Sequence, residues 1–187
     1  MNLDAARALM HEWVISPSLR THMESVGACM RAYAQRLEPS RETAWHVAGL
    51  LHDFDYERHP TAEEHPVVGV RHLDSLGVER EILDAILGHA AERTGVARVT
   101  PMAKALFACD ELAGFIVACG KVRSDGLASL EARSVRKKLK DKAFAAAVSR
   151  EDIAQGHAEL ATLTGLDEDT HIALCIGAIR NHMATLA

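Results

Sequence analysis

The chain has 187 residues, 48% of them hydrophobic, with 21 Lys+Arg against 26 Asp+Glu and a formal net charge of −5. That length fits one domain, the apolar content is too high for a disordered chain, and the acidic balance argues against nucleic acid as a partner. No apolar run approaches the roughly 18 residues of a membrane span, so no membrane role is expected.

The start, MNLDAARALMHEW, carries acid where a secretory leader is basic. The cysteines (Cys29, Cys109, Cys119 and Cys175) are scattered and form no CxxC pair. A cytoplasmic protein with reduced thiols is the resulting expectation. Aromatics are few (Trp 2, Tyr 2, Phe 4) and histidines number 11, so an aliphatic core is expected alongside many imidazoles.

Apolar spacing is helical throughout, with no sustained period-two alternation. A first helix is predicted over about 3–15, stopping before Pro17. A second runs from about Ser18 to Leu37, with Leu19, Met23, Val26, Met30, Tyr33 and Leu37 as its stripe. Ser40, Glu42 and Thr43 open a third, which carries Val47, Ala48, Leu50 and Leu51 into the polar segment HDFDYERHPTAEE. Pro66 is placed as the first residue of a fourth helix that ends near Gly77. A fifth covers about 79–90, AERTGVARVTP reads as a loop, and Thr100-Pro101 opens a sixth to about Cys119.

Residues 121–142 hold eight bases against three acids, a local +5 in a chain that is otherwise −10. Helices over about 150–163 and 169–185 follow; they can pack on the core or cap a homodimer interface. The fold class is all-α, a single-domain compact helical bundle with additional C-terminal helices.

Several polar residues fall on apolar faces. His22 sits beside Leu19, Met23 and Val26; His89 continues the line Ile82–Ile86; Asp110 shares a line with Ala103, Leu106 and Val117; and His52-Asp53 directly follows Leu50-Leu51. A buried ionised Asp is costly unless it is paired or holds a metal. Two readings follow: a metal site built from facing helices, for which imidazole and carboxylate suit Fe, Mn, Zn or Mg, or an internal His–Asp network without metal.

The ordered set His22, His52-Asp53 and Asp110 resembles the H…HD…D signature of the HD-domain metal-dependent phosphohydrolases. HPVVG (His65 to Gly69) is similar to the HP-x-x-G element of two-metal HD proteins, and LDAILGHA, ending in His89-Ala90, to their "AI..H" element. The order H, HD, H, H, D is similar to the diadenosine-tetraphosphatase branch. LLHDFDYERHP and SVRKKLKDKAFA resemble an uncharacterised bacterial subgroup of HDIG type. The cyclic-di-nucleotide phosphodiesterases of the superfamily carry His-His and GYP; this chain has His89-Ala90 and no GYP. The resemblance covers about 18–118, the expected metal-binding core, leaving the basic segment and late helices over about 121–187.

The resemblance implies an HD helical bundle with His22, His52, Asp53 and Asp110 around one divalent ion. His65 and His89 complete a second site, with Asp53 bridging. One or two ions (Fe, Mn, Mg or Zn) would activate a water against a nucleotide or other small phosphorylated metabolite. Asp53 is then both ligand and catalytic partner of that water. In the loop Asp55, Tyr56, Arg58, His59, the Arg58 guanidinium is the candidate phosphate contact and His59 the candidate acid for the leaving group. Arg123, Lys137, Lys138 and Lys140 are expected to steer an anionic substrate inward against the acidic field; the absence of interleaved aromatics argues against RNA there. Two other functions fit the same residues: an HD-fold di-iron oxygenase, and a non-catalytic nucleotide-sensing module.

Overall fold

Helix starts fall where short polar side chains occupy the N-cap. In the computed structural model, which describes residues 1–186, Asn2 accepts from the backbone N–H of Ala5, Ser16 from Leu19, Thr100 from Ala103 and Ser149 from Asp152. Each oxygen satisfies an amide that the first turn leaves without a partner, and Pro17 and Pro101 occupy first-turn positions that lack such an amide.

Ten α-helices result among the described residues: α1 (Leu3–Trp13), α2 (Pro17–Leu37), α3 (Glu42–Leu51), α4 (Val67–Ser75), α5 (Arg80–His89), α6 (Ala91–Thr94), α7 (Pro101–Lys121), α8 (Ala132–Leu139), α9 (Arg150–Thr164) and α10 (Glu168–Leu186). There is no strand among the described residues, and the fold is all-α. None of these helices is long and apolar enough to cross a membrane.

The differences from expectation are local. The segment around Ser40 is a 3-10 turn, Pro39–Arg41, ahead of α3. Pro66 stands one residue before α4, after a cis His65–Pro66 peptide bond, instead of opening the helix. The segment after His89 contains the short helix α6. The core is mainly aliphatic, but Trp45, Tyr33, Phe54 and Phe115 are among its largest fully buried side chains.

Long and apolar, α7 is the element around which the rest assemble: α2, α5, α9 and α10 all pack on it. It buries Met102, Leu106, Leu112, Phe115 and Ile116. The late helices cover this core, with Ile172, Cys175, Ile176 and Ile179 of α10 and Ile153 and Leu160 of α9 buried against it.

A close crossing joins α2 and α3. A Cβ at Gly49 would lie 2.8 Å from the Gly27 Cα and 2.9 Å from the Gly27 nitrogen. Backbone therefore meets backbone, and neither helix can back away without opening the core. This crossing holds the first turns of α2 beside the C-terminus of α3.

Gly49→Ala is accordingly expected to destabilise the protein by about 1–3 kcal/mol, the usual range for forced overpacking, and to loosen the site at the end of α3. Urea unfolding of the variant checks the first effect and metal titration the second; an unchanged midpoint would contradict the close crossing.

Candidate metal centre

Five segments deliver side chains to one point. His22 comes from the second turn of α2, His52 and Asp53 from the residues just past α3, His65 from the loop before α4, His89 from the last residue of α5, and Asp110 from the middle of α7. The centre divides into two groups, each able to hold a cation: His22, His52, Asp53 and Asp110; and Asp53, His65 and His89.

Asp53 belongs to both through different oxygens. Its Oδ2 lies 3.6 Å from His22 Nε2 and 3.4 Å from His52 Nε2. Its Oδ1 lies 3.3 Å from His65 Nε2 and 3.6 Å from His89 Nε2. Asp110 Oδ1 closes the first group, at 3.0 Å from His22 Nε2 and 3.3 Å from His52 Nε2.

The outer nitrogens fix the tautomers. The Nδ1–H of His52 donates to the Gly49 carbonyl at 2.8 Å, and that of His89 to the Ile86 carbonyl. A carbonyl only accepts, so each ring presents the Nε2 lone pair inward when neutral. His65 Nδ1 donates to Asp55 Oδ1 at 2.8 Å, and the second Asp55 oxygen accepts from the Gly69 amide at 2.7 Å. Asp55 is fully buried, and a Cβ at Gly69 would lie 2.7 Å from its Cγ. Glycine in HPVVG is what allows that carboxylate to reach the backbone and orient His65. Outer-shell partners of this kind set ring orientation and ligand basicity.

The centre consequently points lone pairs and carboxylate oxygens at one another. His22 Nε2 and His52 Nε2 are only 3.2 Å apart. Such an array requires positive charge between its members, and protons supply it when cations do not. Burial pushes the His52 ring down, but Asp53 and Asp110 outweigh it and raise it well above its ordinary value. Burial likewise opposes the proton on His65, yet Asp53 and Asp55 hold it up to about 9. His89 moves the other way, lowered first by burial and then by the charge of His52. Burial works against ionisation of Asp53 and Asp110, and the imidazoles still hold both below the usual carboxylate range. The residues present fit divalent ions: four imidazoles, three of them with fixed tautomers, and two ionised carboxylates, one of which is shared by both groups.

The centre opens into a cavity of about 530 Å³, within the usual size of small-molecule sites. Its lining includes Arg93, Arg98, Glu111, Asp152 and Gln155. Arg98 is committed, pairing with Glu159 at 2.7 Å, donating to the Gly88 carbonyl and stacking 3.7 Å from the centroid of the Phe107 ring. Arg93 is exposed and makes no ion pair among the described residues. Burial, then the neighbouring Asp110 charge, pushes the Glu111 carboxyl up to about 7, and the Ser149 amide donates to it.

Other expected residues stand elsewhere. Arg58 is turned away: its guanidinium donates to the carbonyls of Trp13 and Glu12 and lies 4.6 Å from the Trp13 ring centroid. It ties the loop after Asp53 to the end of α1, so the expected phosphate contact is corrected to a structural one. His59 meets Glu64 at 3.3 Å and is absent from the cavity wall, which corrects its expected place beside a leaving group.

The basic patch is corrected in the same way. Arg123, Lys137 and Lys138 line a separate cavity with Cys119, Leu130 and Asp141. Arg123 pairs with Asp125 and Lys138 with Asp141, while Lys140 is exposed and lines neither cavity. Helix α8 follows a bend at the end of α7 that no periodicity reveals. Sequence reasoning in turn missed Arg93, Glu111 and Asp152. The available signal was that the segment joining His89 to the helix of Asp110 must pass the site whose ligands it connects.

A family model described as HD domain matches residues 19–114. No curated protein and no solved structure matches the chain.

The proton held on His65 sets a pH dependence. In the metal-free chain its raised value stabilises the fold fully below about pH 6.5, and that contribution is lost as pH rises through about 9. Metal binding runs the opposite way, because a cation at Nε2 must displace the proton. Affinity for Mn2+ is expected to fall as pH falls below about 9, by about tenfold per unit for each proton displaced. Calorimetry in two buffers of different ionisation enthalpy checks this; a heat independent of buffer near neutral pH would contradict it.

Proposed function

This chain belongs to the HD-domain family, whose members are mostly metal-dependent hydrolases, and from that premise we propose that it is a phosphohydrolase acting on a nucleotide or other small phosphorylated metabolite through a two-ion centre. The observation that carries the reading is Asp53, whose two oxygens face two separate groups of ligands. A mononuclear centre would have no use for His65 and His89 arrayed around Oδ1, nor for the buried Asp55 that orients His65.

His22, His52, Asp53 and Asp110 would hold one divalent ion, and Asp53, His65 and His89 the other. Divalent ions so placed lower the pKa of a water and neutralise charge on phosphoryl oxygens. The protein's own part is positional. Asp53 stands at the junction of the two groups, where it can accept a hydrogen bond from a water and orient it. Hydrogen bonds to Gly49, Asp55 and Ile86 hold the imidazoles in place through the reaction.

Phosphate recognition falls to the wall of the cavity. Arg93 has an unpaired guanidinium there, and charge-assisted bonds to phosphate are among the stronger hydrogen bonds. Arg98, already neutralised by Glu159, fixes the segment that carries Arg93. The Asp152 carboxylate in the same lining would repel a second negative group, which favours a compact substrate with its phosphate directed toward Arg93.

Metal analysis and phosphate release from a panel of nucleotides and small phosphate esters with Mn2+, Fe2+ and Mg2+ test the proposal. Asp53→Ala is expected to lose both metal and activity while its helical circular dichroism survives. Full metal retention in that variant would overturn the shared-ligand reading.

Arg93→Ala is expected to raise KM by about 10-fold or more, the scale of one hydrogen bond to a charged group, with a smaller effect on kcat. A Lys137→Ala, Lys138→Ala double variant should leave KM unchanged at low salt. Steady-state kinetics distinguishes them, and a reversed pattern would return substrate steering to the α8 patch.

A further inference from the structure

We propose that Glu24 of α2, His46 of α3 and His182 of α10 form a second, separate metal site, which takes a Zn2+-class divalent ion and pins the C-terminal helix to the HD core. One donor atom from each residue lies within 4.8 Å of the other two. His182 Nε2 is 2.7 Å from Glu24 Oε2, and the His46 and His182 rings stand 5.5 Å apart, nearly perpendicular. Two imidazoles and a carboxylate are a donor set that suits zinc and other first-row divalent ions.

This site is distinct from the HD centre. Glu24 follows His22 by two residues, and two residues turn a helix by about 200°, so the two side chains leave α2 on opposite faces.

The observation that points to a ligand is His46. It is only 4% exposed, and its Nε2 is buried with no hydrogen-bond partner among the described residues. A buried nitrogen without a partner is costly, and native structures rarely leave one so. Gly27, one turn after Glu24 on α2, makes room for the ring: a Cβ there would lie 2.8 Å from His46 Cδ2 and 3.1 Å from Nε2. Burial lowers the imidazole to about 4, so at neutral pH it offers a lone pair and no charge.

A purely structural network explains the other two residues and leaves His46 out. Arg7 donates to Glu24 at 2.8 Å and 3.2 Å, and Glu24 meets His182. That chain satisfies the carboxylate without any contribution from His46. With four lone-pair positions, the same carboxylate can keep Arg7 and still serve a cation. His182 also lines a cavity of about 480 Å³ between α2 and α10.

Zinc is the probe, and the full-length chain is the sample. Long-range 1H–15N spectra during a Zn2+ titration follow the His46 and His182 rings without any substitution. Both are expected to move to metal-bound shifts together. His182→Gln should lower the Zn2+ content by one ion per chain and leave the ions of the HD centre in place. His52→Ala should do the reverse, so failure of either site is read separately. His46 and His182 resonances unmoved at saturating Zn2+ would overturn the proposal, as would an unchanged Zn2+ content in folded His182→Gln.

Discussion

Imidazole lone pairs and carboxylate oxygens facing one another across three to four ångströms are unstable without positive charge between them, and the rest of this molecule is arranged to maintain that confrontation. His22 and His52 nitrogens approach to 3.2 Å, and Asp53 and Asp110 oxygens surround them. Protons or divalent ions can satisfy the array. Ions do so with less rearrangement, because three of the four rings already place their N–H outward on Gly49, Asp55 and Ile86. A core network meant only for stability would alternate donors and acceptors instead of collecting acceptors at one point.

Holding such an array requires a stiff frame. The contact of Gly27 with Gly49 locks α2 against α3, and α7 passes behind both to present Asp110. The loop after Asp53 is tied down on its outer side: Arg58 grips carbonyls at the end of α1, and the Glu57 carboxylate accepts from the Ile15 and Ser16 amides. Those side chains serve the site by fixing the loop from which Asp53 and Asp55 project. The chemistry of Arg58 suggested direct participation, but the direction of the loop gives it a structural role.

Charge is distributed with similar economy. The chain is acidic overall, and its most basic segment folds away from the cavity into contacts of its own with Asp125 and Asp141. Positive charge at the cavity comes from the connector between α5 and α7, through Arg93, since Arg98 is neutralised by Glu159. The cavity's cationic side chains thus stand on the segment that joins two of the ligand-bearing elements. Of the late helices, α9 lends Asp152 and Gln155 to the cavity lining, and α10 packs on α2 where Glu24, His46 and His182 meet.

The sequence by itself determined the helical class, most helix limits and five polar residues out of place on apolar faces or runs (His22, His52, Asp53, His89 and Asp110), because helical period and the cost of burying Asp and His are local properties of the chain; His65 is picked out only by the resemblance of HPVVG to the HD-family element. Asp110 on an apolar line and His52-Asp53 behind Leu50-Leu51 were visible without coordinates for that reason. Tertiary structure alone decided which oxygen of Asp53 faces which ring and that Asp55 orients His65. It also decided that Arg58 and His59 turn outward, that Arg93 stands at the cavity while Lys137 and Lys138 do not, and that His46 reaches His182 across 136 residues of sequence. Those outcomes depend on loop direction and on the angles at which helices cross, and both are set by packing between segments far apart in the chain, where no periodicity carries the information.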